Sequence, residues 1–410
     1  MRKHSRVLGA LTCAVALVSI AACGSSSSSA PGSGGGGDKS LTVLFGSSGT
    51  AETQAIKDAA AKWSAQSGVK VDVRPATDFA QELAQGFTAG DPPDIFYVSP
   101  DQFTDLVDNH RLDPYAADLP NAGSFYPQLQ QTFTSDGRFY AAPKDVGVLA
   151  LAINTKMWKA AGLTDADIPK TWDQLHADAK KLSSTGVAGL TISPDFAHVG
   201  PFLLQSGGWL VNDDQTQATA NSPQNVQALD FLKSMLADGS MKLSTDLGVG
   251  WPGEALGKQK AAMIVEGPWL DGAMKSDYPD VNYKVVDLPA GPAGPGTMFF
   301  TNAWGIAAQS KDTTDAVDFV KFLTTPDQQM TFAKAFGPIP SLSTAADQYR
   351  AAFPDKSAFL DGIDHAKTYP TLAGFDDVMN DMNAQLSKLA STDSKTLLDS
   401  VQTNLQAIVQ

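Results

Sequence analysis

Short apolar runs alternate with helix-like runs through the first hundred residues, and this alternation restricts the fold more than any other feature of the chain. The runs at residues 41–45, 69–75 and 95–98 are rich in β-branched and aromatic residues, which is typical of strands. A helical pattern lies in each of the two intervals between these runs. Strands that alternate with helices predict βαβ units, a parallel sheet and an α/β fold.

The predicted helices have apolar residues on one face. In the first, residues 50–67, the spacing places Ile56, Ala59, Ala60 and Trp63 on one side, and a glycine follows the last residue. Further helices are predicted at residues 79–88, 171–182, 223–237 and 315–323. Two turns after strands, Gly46-Ser47-Ser48-Gly49 and Ser99-Pro100-Asp101-Gln102, are candidate binding loops, because ligands of open α/β sheets bind beyond the carboxyl ends of strands.

The amino terminus has the pattern of a secretory signal peptide. A short basic start precedes an apolar stretch, residues 7–22, that is too short for a comfortable membrane span. The residues Ile20-Ala21-Ala22-Cys23 resemble a bacterial lipobox, in which the cysteine becomes the first mature residue and carries lipid. We expect a signal peptide at residues 1–22 and a lipid-anchored flexible linker at residues 23–40, the latter being mostly serine and glycine. The alternative is an ordinary signal peptide in which Cys23 occurs by chance.

The bulk composition excludes several classes of protein. A chain of 410 residues usually forms two lobes or domains. The net charge of −14 argues against nucleic acid or an anionic lipid surface as partner. The two cysteines, Cys13 and Cys23, lie in or beside the leader, so the folded part has no thiolate metal site and no disulfide.

Six blocks of sequence resemble extracellular solute-binding proteins of the maltose-binding type, which deliver sugars to ABC importers. They occur in the order of that family, and the resemblance covers the chain from about Leu41 to Leu342. The blocks are PPDIFYVSPDQFTDLVDNHRLDP, DGRFYAAPKDVGVLALAINTKMWKAAGL, PKTWDQL, ALGKQKAAMIVEGPWL, VVDLPAGPAG and DAVDFVKFLTTPDQQ. The resemblance implies a type II periplasmic-binding-protein fold, with two discontinuous α/β lobes joined by a hinge. The crossings between the lobes would lie near residues 145–148, 300–302 and 340.

The resemblance also implies the lobe boundaries. Lobe 1 would comprise residues 41–145 and 302–340. Lobe 2 would comprise residues 146–301 and a helical C-terminal part, residues 341–410.

The chemistry of a sugar predicts which aromatic residues to look for. A pyranose has an apolar C–H face, which packs on an aromatic ring, and a rim of hydroxyls that bind carboxylates and amides. Trp269, three residues after Glu266 at the end of an apolar strand, lies where the resembled family places a stacking ring and is the first candidate. Trp304, at a crossing where the resemblance implies an aromatic contact, and Trp251, in a loop with little helix or strand character, are two more. The other tryptophans, Trp63, Trp158, Trp172 and Trp209, are interpreted as packing residues.

The candidate polar rim comes from several loops. For each of these polar residues, the alternative is a solvated loop residue or a helix cap. Gln102 stands where related proteins have an arginine, which puts a charge-assisted contact in doubt. Ser47 and Ser48 belong to the turn after the first strand. The resemblance to the solute-binding family implies the other candidates: Asp101, Gln102, Lys144, Asp145, Asp195 with its neighbour Phe196, and Phe375 with Asp376.

The sequence therefore predicts a binding protein without catalysis, cofactor or metal. Its five histidines are scattered, and neither a Gly-x-Ser-x-Gly nor a His-Glu-x-x-His motif is present. The expected ligand is a neutral di- or oligosaccharide, the expected partners are ABC permease subunits, and the protein is expected to be a monomer anchored at the extracellular face of the membrane through Cys23. The alternatives are a binding protein for a polyol or glycerol phosphate and a secreted glycoside hydrolase.

Overall fold

The computed structural model describes residues 40–183 and 187–409, which form α-helices and mixed β-sheets. The strands are β1 (Ser40–Phe45), β2 (Lys70–Pro75), β3 (Ile95–Val98), β4 (Thr134–Ser135), β5 (Arg138–Phe139), β6 (Ala142–Pro143), β7 (Asp145–Val148), β8 (Ala150–Asn154), β9 (Ala188–Ile192), β10 (Met241–Leu243), β11 (Ala261–Glu266), β12 (Tyr283–Val286), β13 (Thr297–Phe300), β14 (Ala303–Ile306), β15 (Ile339–Pro340) and β16 (Ala366–Lys367). The helices are α1 (Thr50–Ser67), α2 (Phe79–Ala89), α3 (Pro100–Asp108), α4 (Pro127–Thr132), α5 (Thr155–Ala160), α6 (Trp172–Ser183), α7 (Phe196–Gln205), α8 (Pro223–Ala237), α9 (Pro252–Gly257), α10 (Leu270–Asp277), α11 (Thr313–Leu323), α12 (Pro326–Phe336), α13 (Ala346–Ala352), α14 (Ala358–Asp361), α15 (Phe375–Leu386) and α16 (Ser394–Gln406).

The first large sheet has the strand order β2-β1-β3-β14-β6. β1 pairs in parallel with both β2 and β3, whereas β14 runs antiparallel to β3 and β6. Its hydrophobic core draws residues from two separate stretches, 41–142 and 303–345. The chain therefore leaves this sheet after β6 and returns to it at β14.

The second large sheet has the order β10-β9-β11-β8-β12. β9 pairs in parallel with β10 and β11, and β8 is antiparallel to β11 and β12. Its main core combines residues 149–298 with residues 375–405 of the carboxyl-terminal helices. This half is thus also built from two stretches of chain.

A smaller sheet, β15-β7-β13-β16, contains the segments that connect the two halves. β7 follows β6 of the first sheet and is followed by β8 of the second, and β13 precedes β14 of the first sheet. β7 lies between β13 and β15 and is antiparallel to both. The segments predicted to cross between the lobes therefore meet in one sheet.

The helices follow from the sequence patterns. The predicted apolar face of α1 is buried, and α1 ends at Gly68, whose φ of 77° is a left-handed conformation that glycine adopts without strain. The other predicted helices are present with ends that differ by one or two residues, and α8 has the predicted bounds. The α/β fold class predicted from the alternation is confirmed.

The predictions for the leader, for Cys23 and for the linker up to residue 39 concern residues outside the described ranges, and Ser40, the last residue of the predicted linker, is already part of β1. Within the described part, no helix is long and apolar enough to cross a membrane. The same residues contain no group of three or more histidine, cysteine, aspartate or glutamate side chains placed to hold a metal ion.

Candidate functional site

A cavity of about 320 Å³ lies where the turns after β1 and β3 face the connecting strands and the turn after β11. This volume is at the lower end of the range for small-molecule sites, about 300–1,000 Å³. Its walls carry both charged groups and aromatic rings. Predicted residues in the walls are Ser48, Asp101, Lys144, Asp145 and Trp269.

One wall contains a buried ionic group that we call the lysine cluster: Ser48, Glu52, Tyr97, Lys144 and Asp145. Lys144 Nζ lies 2.8 Å from Glu52 Oε1 and 2.6 Å from Asp145 Oδ2. It also lies 4.7 Å from the centre of the Tyr97 ring. Two carboxylates thus share one ammonium group, and the cluster carries net negative charge.

Glu52 is held as a carboxylate from several directions. Although it is only 2% exposed, it accepts hydrogen bonds from the Tyr97 hydroxyl at 2.8 Å and from the Ser48 amide and hydroxyl at 2.7 Å each. Burial alone would raise the pKa of Glu52, but the charge and hydrogen bond of Lys144 and the bonds from Ser48 lower it to about 2. Its place in the first turn of α1 also favours a negative charge.

The pKa values of the other two charged groups in the lysine cluster, Lys144 and Asp145, are also shifted from their usual values. Burial would lower the pKa of Lys144, but the neighbouring Asp145, Tyr97 and Glu52 raise it above its usual value. Burial, with the nearby Glu52 charge, raises the pKa of Asp145 in spite of Lys144. Lys144 therefore stays cationic and is already neutralised by the protein itself.

Another wall residue, Trp269, belongs to what we call the tryptophan cluster: Asp195, His198, Glu266 and Trp269. Trp269 is 42% exposed, and its Nε1 donates to Glu266 Oε2 at 2.6 Å. Its ring packs edge-to-face on Phe300, with 5.4 Å between ring centres. The carboxylate and Phe300 together fix an otherwise exposed ring in one orientation.

A histidine lies behind the tryptophan. His198 Nδ1 is 2.7 Å from Asp195 Oδ1, and its Nε2 is 3.7 Å from Glu266 Oε1, a distance suited to an ion pair but too long for a hydrogen bond. Burial alone would lower the pKa of His198, but Asp195 and Glu266 raise it to about 10. His198 is thus the buried cation beside the carboxylate that holds Trp269.

Two glycines allow the close packing at this wall. A Cβ atom on Gly147 would lie 2.8 Å from Pro268, and one on Gly267 would lie 2.3 Å from the Trp269 ring. Substitution of Gly267 would displace the Trp269 ring, and substitution of Gly147 would displace Pro268, which directly precedes the tryptophan. Glycine at these two places is therefore a requirement of the wall.

Other predicted residues lie near the cavity but outside its walls. The hydroxyl of Ser47 lies 2.7 Å from Gly49 O and 2.8 Å from the Thr53 hydroxyl, so it is used in the start of α1. Trp251 lines a neighbouring cavity that shares Ser48, Glu52 and Trp269 with the first. Glu266 and Asp195 belong to the tryptophan cluster behind the wall.

Three aromatic residues predicted to contact a ligand do not line the cavity, because their rings lie in the hydrophobic cores. Trp304 is 1% exposed and packs edge-to-face on Tyr97 in the first core. Phe196 and Phe375 are buried against each other in the second core, at the starts of α7 and α15. In each case, the ring fills space beneath the loop that suggested a contact.

The polar neighbours of these rings also differ from the expectation. The side-chain oxygen of Gln102 is buried, and Gln102 does not line the cavity. Asp376 is exposed and lies outside the walls. The loss of part of its hydration, together with the charges of Asp101 and Asp105, raises its pKa. Asp101 alone of the Asp101-Gln102 pair reaches the cavity.

The sequence reasoning missed several wall residues. Glu52 lies three residues after the Gly-Ser-Ser-Gly turn, and Tyr97 places a hydroxyl in an otherwise apolar strand, so the sequence contained a pattern that could have identified both. Phe300, Phe336 and Tyr369 come from distant parts of the chain with no local pattern that marks them. Only the fold brings these three rings to one cavity.

Comparison with known proteins places the chain in a family. Residues 46–330 match the family model described as bacterial extracellular solute-binding protein. The diacetylchitobiose binding protein DasA of Streptomyces coelicolor is 26% identical over 351 residues, which cover 82% of this chain and 82% of that protein.

Two solved structures have the same fold at low sequence identity. An ABC transporter solute binding protein from Thermotoga lettingae, bound with alpha-D-tagatose, matches with a TM-score of 0.79 and 21% identity over 91% of this chain and 100% of that one. Maltose-bound MalE3 of T. maritima matches with a TM-score of 0.77 and 21% identity over 90% of this chain and 99% of that one. The chain belongs to the bacterial extracellular solute-binding protein family and has the two-lobed fold of its maltose-binding type.

Proposed function

We propose that the protein captures a neutral di- or oligosaccharide in the cavity between its two lobes and delivers it to an ABC importer, without catalysis. The observation that carries this proposal is Trp269. Among the described residues it is the one exposed large hydrophobic side chain, and it is fixed beside polar groups in a cavity. An exposed, immobilised ring next to hydrogen-bonding groups suits the apolar face and the hydroxyl rim of a sugar.

The polar groups of the cavity favour an uncharged ligand. Asp101 and Asp145 offer carboxylate oxygens to hydroxyls, and Asn302 adds an amide. Lys144 is occupied by Glu52 and Asp145, so it is poorly suited to bind a phosphate or a sugar acid. This argues against the glycerol-phosphate alternative.

The relatives support a sugar as the ligand. The names of the compared proteins refer to diacetylchitobiose, tagatose and maltose. These are uncharged carbohydrates of different size and linkage. We therefore propose that this chain also binds an uncharged carbohydrate, without proposing which one.

The delivery role needs an anchor and a partner. We propose that residues 1–22 are removed, that Cys23 carries lipid and that residues 23–40 tether a monomer at the extracellular face of the membrane, where it meets permease subunits. In this proposal, lobe 1 (residues 41–145 and 302–340) and lobe 2 (residues 146–301 and 341–410) close on the sugar. Replacement Cys23→Ser should release the protein into the medium, and continued membrane attachment would contradict the anchor.

A thermal-shift screen of the purified protein against neutral glycans, followed by calorimetry, tests the ligand class. A sugar that binds only the folded state raises the melting temperature. Chromatography of the mixture afterwards should recover the sugar intact. Cleaved sugar would favour the hydrolase, and a shift with polyols or glycerol phosphate alone would favour the other alternative.

A further inference from the structure

The chain between β16 and α15, which we call the wall segment (residues 368–374), forms part of the candidate site. Its Thr368 and Tyr369 line the first cavity and also a second cavity, of about 330 Å³. The Tyr369 ring packs against Phe196 and Phe375 of the second core, with 5.7 and 6.5 Å between ring centres. The wall segment is therefore attached to the second lobe.

A glutamine of the second lobe holds the wall segment further along. Gln215 Oε1 accepts a hydrogen bond from the Thr371 amide at 2.7 Å, and Gln215 Nε2 donates to the Thr371 hydroxyl at 3.0 Å. Gln215 has a φ of 58°, a left-handed conformation that is uncommon for a residue other than glycine. Such a conformation persists where the surrounding contacts hold it, so this two-point contact belongs to the fixed structure of the lobe.

A threonine of the first lobe reaches the same residue. Thr104 Oγ1, on α3, donates to the Thr371 carbonyl at 2.7 Å. Phe103 and Leu106, the neighbours of Thr104 on α3, lie in the first hydrophobic core. The hydrogen bond thus joins elements that pack in two different cores. Neither Thr104 nor Thr371 lines the first cavity.

The position of Thr104 relates this hydrogen bond to the candidate site. Asp101, three residues earlier on the same helix, lines the cavity, and residues three apart lie on one face of a helix. Thr104 therefore connects the helix that presents Asp101 with the wall segment that presents Tyr369. Because a hydrogen bond needs its two heavy atoms within about 3.2 Å, this one exists only while the two lobes lie close together.

We propose that the Thr104–Thr371 hydrogen bond is an interlobe tie that forms when the lobes close on a sugar, so that Thr104 is a positioning residue that raises sugar affinity without contacting the sugar. This inference rests on the proposed function and goes beyond it. A contact that exists only in the closed arrangement shifts the equilibrium between open and closed protein toward the closed one. The apparent affinity of every sugar that binds the closed arrangement then rises by the same factor.

Calorimetry of Thr104→Val with three disaccharides, maltose, cellobiose and N,N′-diacetylchitobiose, and with the corresponding trisaccharides tests the tie. Valine keeps the shape of threonine and removes the donor. Each sugar that binds the wild type should bind Thr104→Val about twofold to tenfold more weakly, the effect of one hydrogen bond, and by the same factor for each sugar. Thr104→Ser, which keeps the hydroxyl, should bind the same sugars with nearly the affinity of the wild type.

The sugar-free protein distinguishes an interlobe tie from an ordinary structural contact. Sugar-free Thr104→Val should have the melting temperature of the wild type, because open lobes do not form the bond. A lower melting temperature with unchanged sugar affinity would show a permanent structural contact and would overturn the tie.

Thr88→Val is the matched control, because the Thr88 hydroxyl donates to the Ala84 carbonyl of its own helix at 2.8 Å. Its sugar affinity should equal that of the wild type. Equal affinities of Thr104→Val and the wild type, or factors that differ among the sugars, would overturn the tie while leaving sugar binding intact. Failure of all these sugars, and of the neutral glycans in the thermal-shift screen, to bind the wild type would instead overturn the proposed function, and the tie with it.

Discussion

The lysine cluster and the tryptophan cluster face the same cavity, and each is built around a buried carboxylate with a nearby cation. In the lysine cluster, the cation lies in the cavity wall itself and is shared by Glu52 and Asp145. In the tryptophan cluster, His198 lies behind the wall, and only the Trp269 ring reaches the cavity. The first cluster therefore offers polar atoms to a ligand, whereas the second uses its charges to position an apolar surface.

Of the variants considered below, replacement of Lys144 in the lysine cluster should lower the stability of the protein most. Lys144→Met leaves two buried carboxylates without their cation, which should lower the free energy of unfolding by about 3–5 kcal/mol. Urea denaturation measures the change. Lys258→Met, which removes an exposed ion pair with Glu254, is the control and should cost less than about 1 kcal/mol. Equal effects of the two variants would show that the lysine cluster is not the buried ion pair described above.

The stability that the tryptophan cluster contributes should depend on pH, because it relies on the charge of His198. The folded pKa of His198, about 10, exceeds that of an unfolded histidine, about 6.5. Its contribution to stability is thus fully present below about pH 6.5 and is lost as pH rises through about 10.

His198→Gln should therefore be less stable than the wild type by about 1.5–3 kcal/mol at neutral pH, the range for a hydrogen bond to a charged group. The difference should shrink as pH approaches 10. Denaturation curves at several pH values measure it. A difference that does not change with pH would indicate a neutral histidine.

The exposed ring should matter for binding rather than for folding. Trp269→Ala removes the apolar surface and should weaken sugar binding by about 1–3 kcal/mol, or roughly tenfold to a hundredfold. Calorimetry with the best ligand from the screen measures the loss.

Trp63→Phe is the contrasting variant. Trp63 is buried on α1, where it donates to Asp318 and packs on Phe319. Its loss should lower the melting temperature and leave the affinity of the folded protein nearly unchanged. The reverse pattern in the two tryptophan variants would mean that the cavity is assigned to the wrong place.

The smallest expected effect is on sugar affinity and follows from a change in one polar wall residue, Asp101. Asp101 lines the cavity from the first turn of α3, and Asp101→Asn keeps its size while weakening it as an acceptor. We expect a loss of about 0.5–1.5 kcal/mol in binding, the usual range for one hydrogen bond. The same substitution at Asp376, which lies outside the walls, should leave the affinity unchanged in the same calorimetric titration.

The fold was largely predictable because its patterns are local. Alternating strands and helices gave the α/β class, and glycine stops such as Gly68 gave helix ends. Trp269 was a candidate because it follows an apolar strand, and Lys144 because it stands at a crossing that the family resemblance implied; both line the cavity. The orientation of Trp304 was not predictable, because an aromatic residue on a strand near a crossing can face either the cavity or the core; its ring lies in the core, packed on Tyr97. Tyr369 has no local signal, since its role depends on two cavities assembled by the whole chain.

X-ray scattering with and without the sugar tests most directly whether the ligand is held between the two lobes. A ligand that contacts the lysine cluster on one side and Trp269 on the other should draw the lobes together about the connecting strands β7 and β13. The account predicts a smaller radius of gyration at saturating sugar. An unchanged radius, in a sample where calorimetry shows the sugar to be bound, would contradict it.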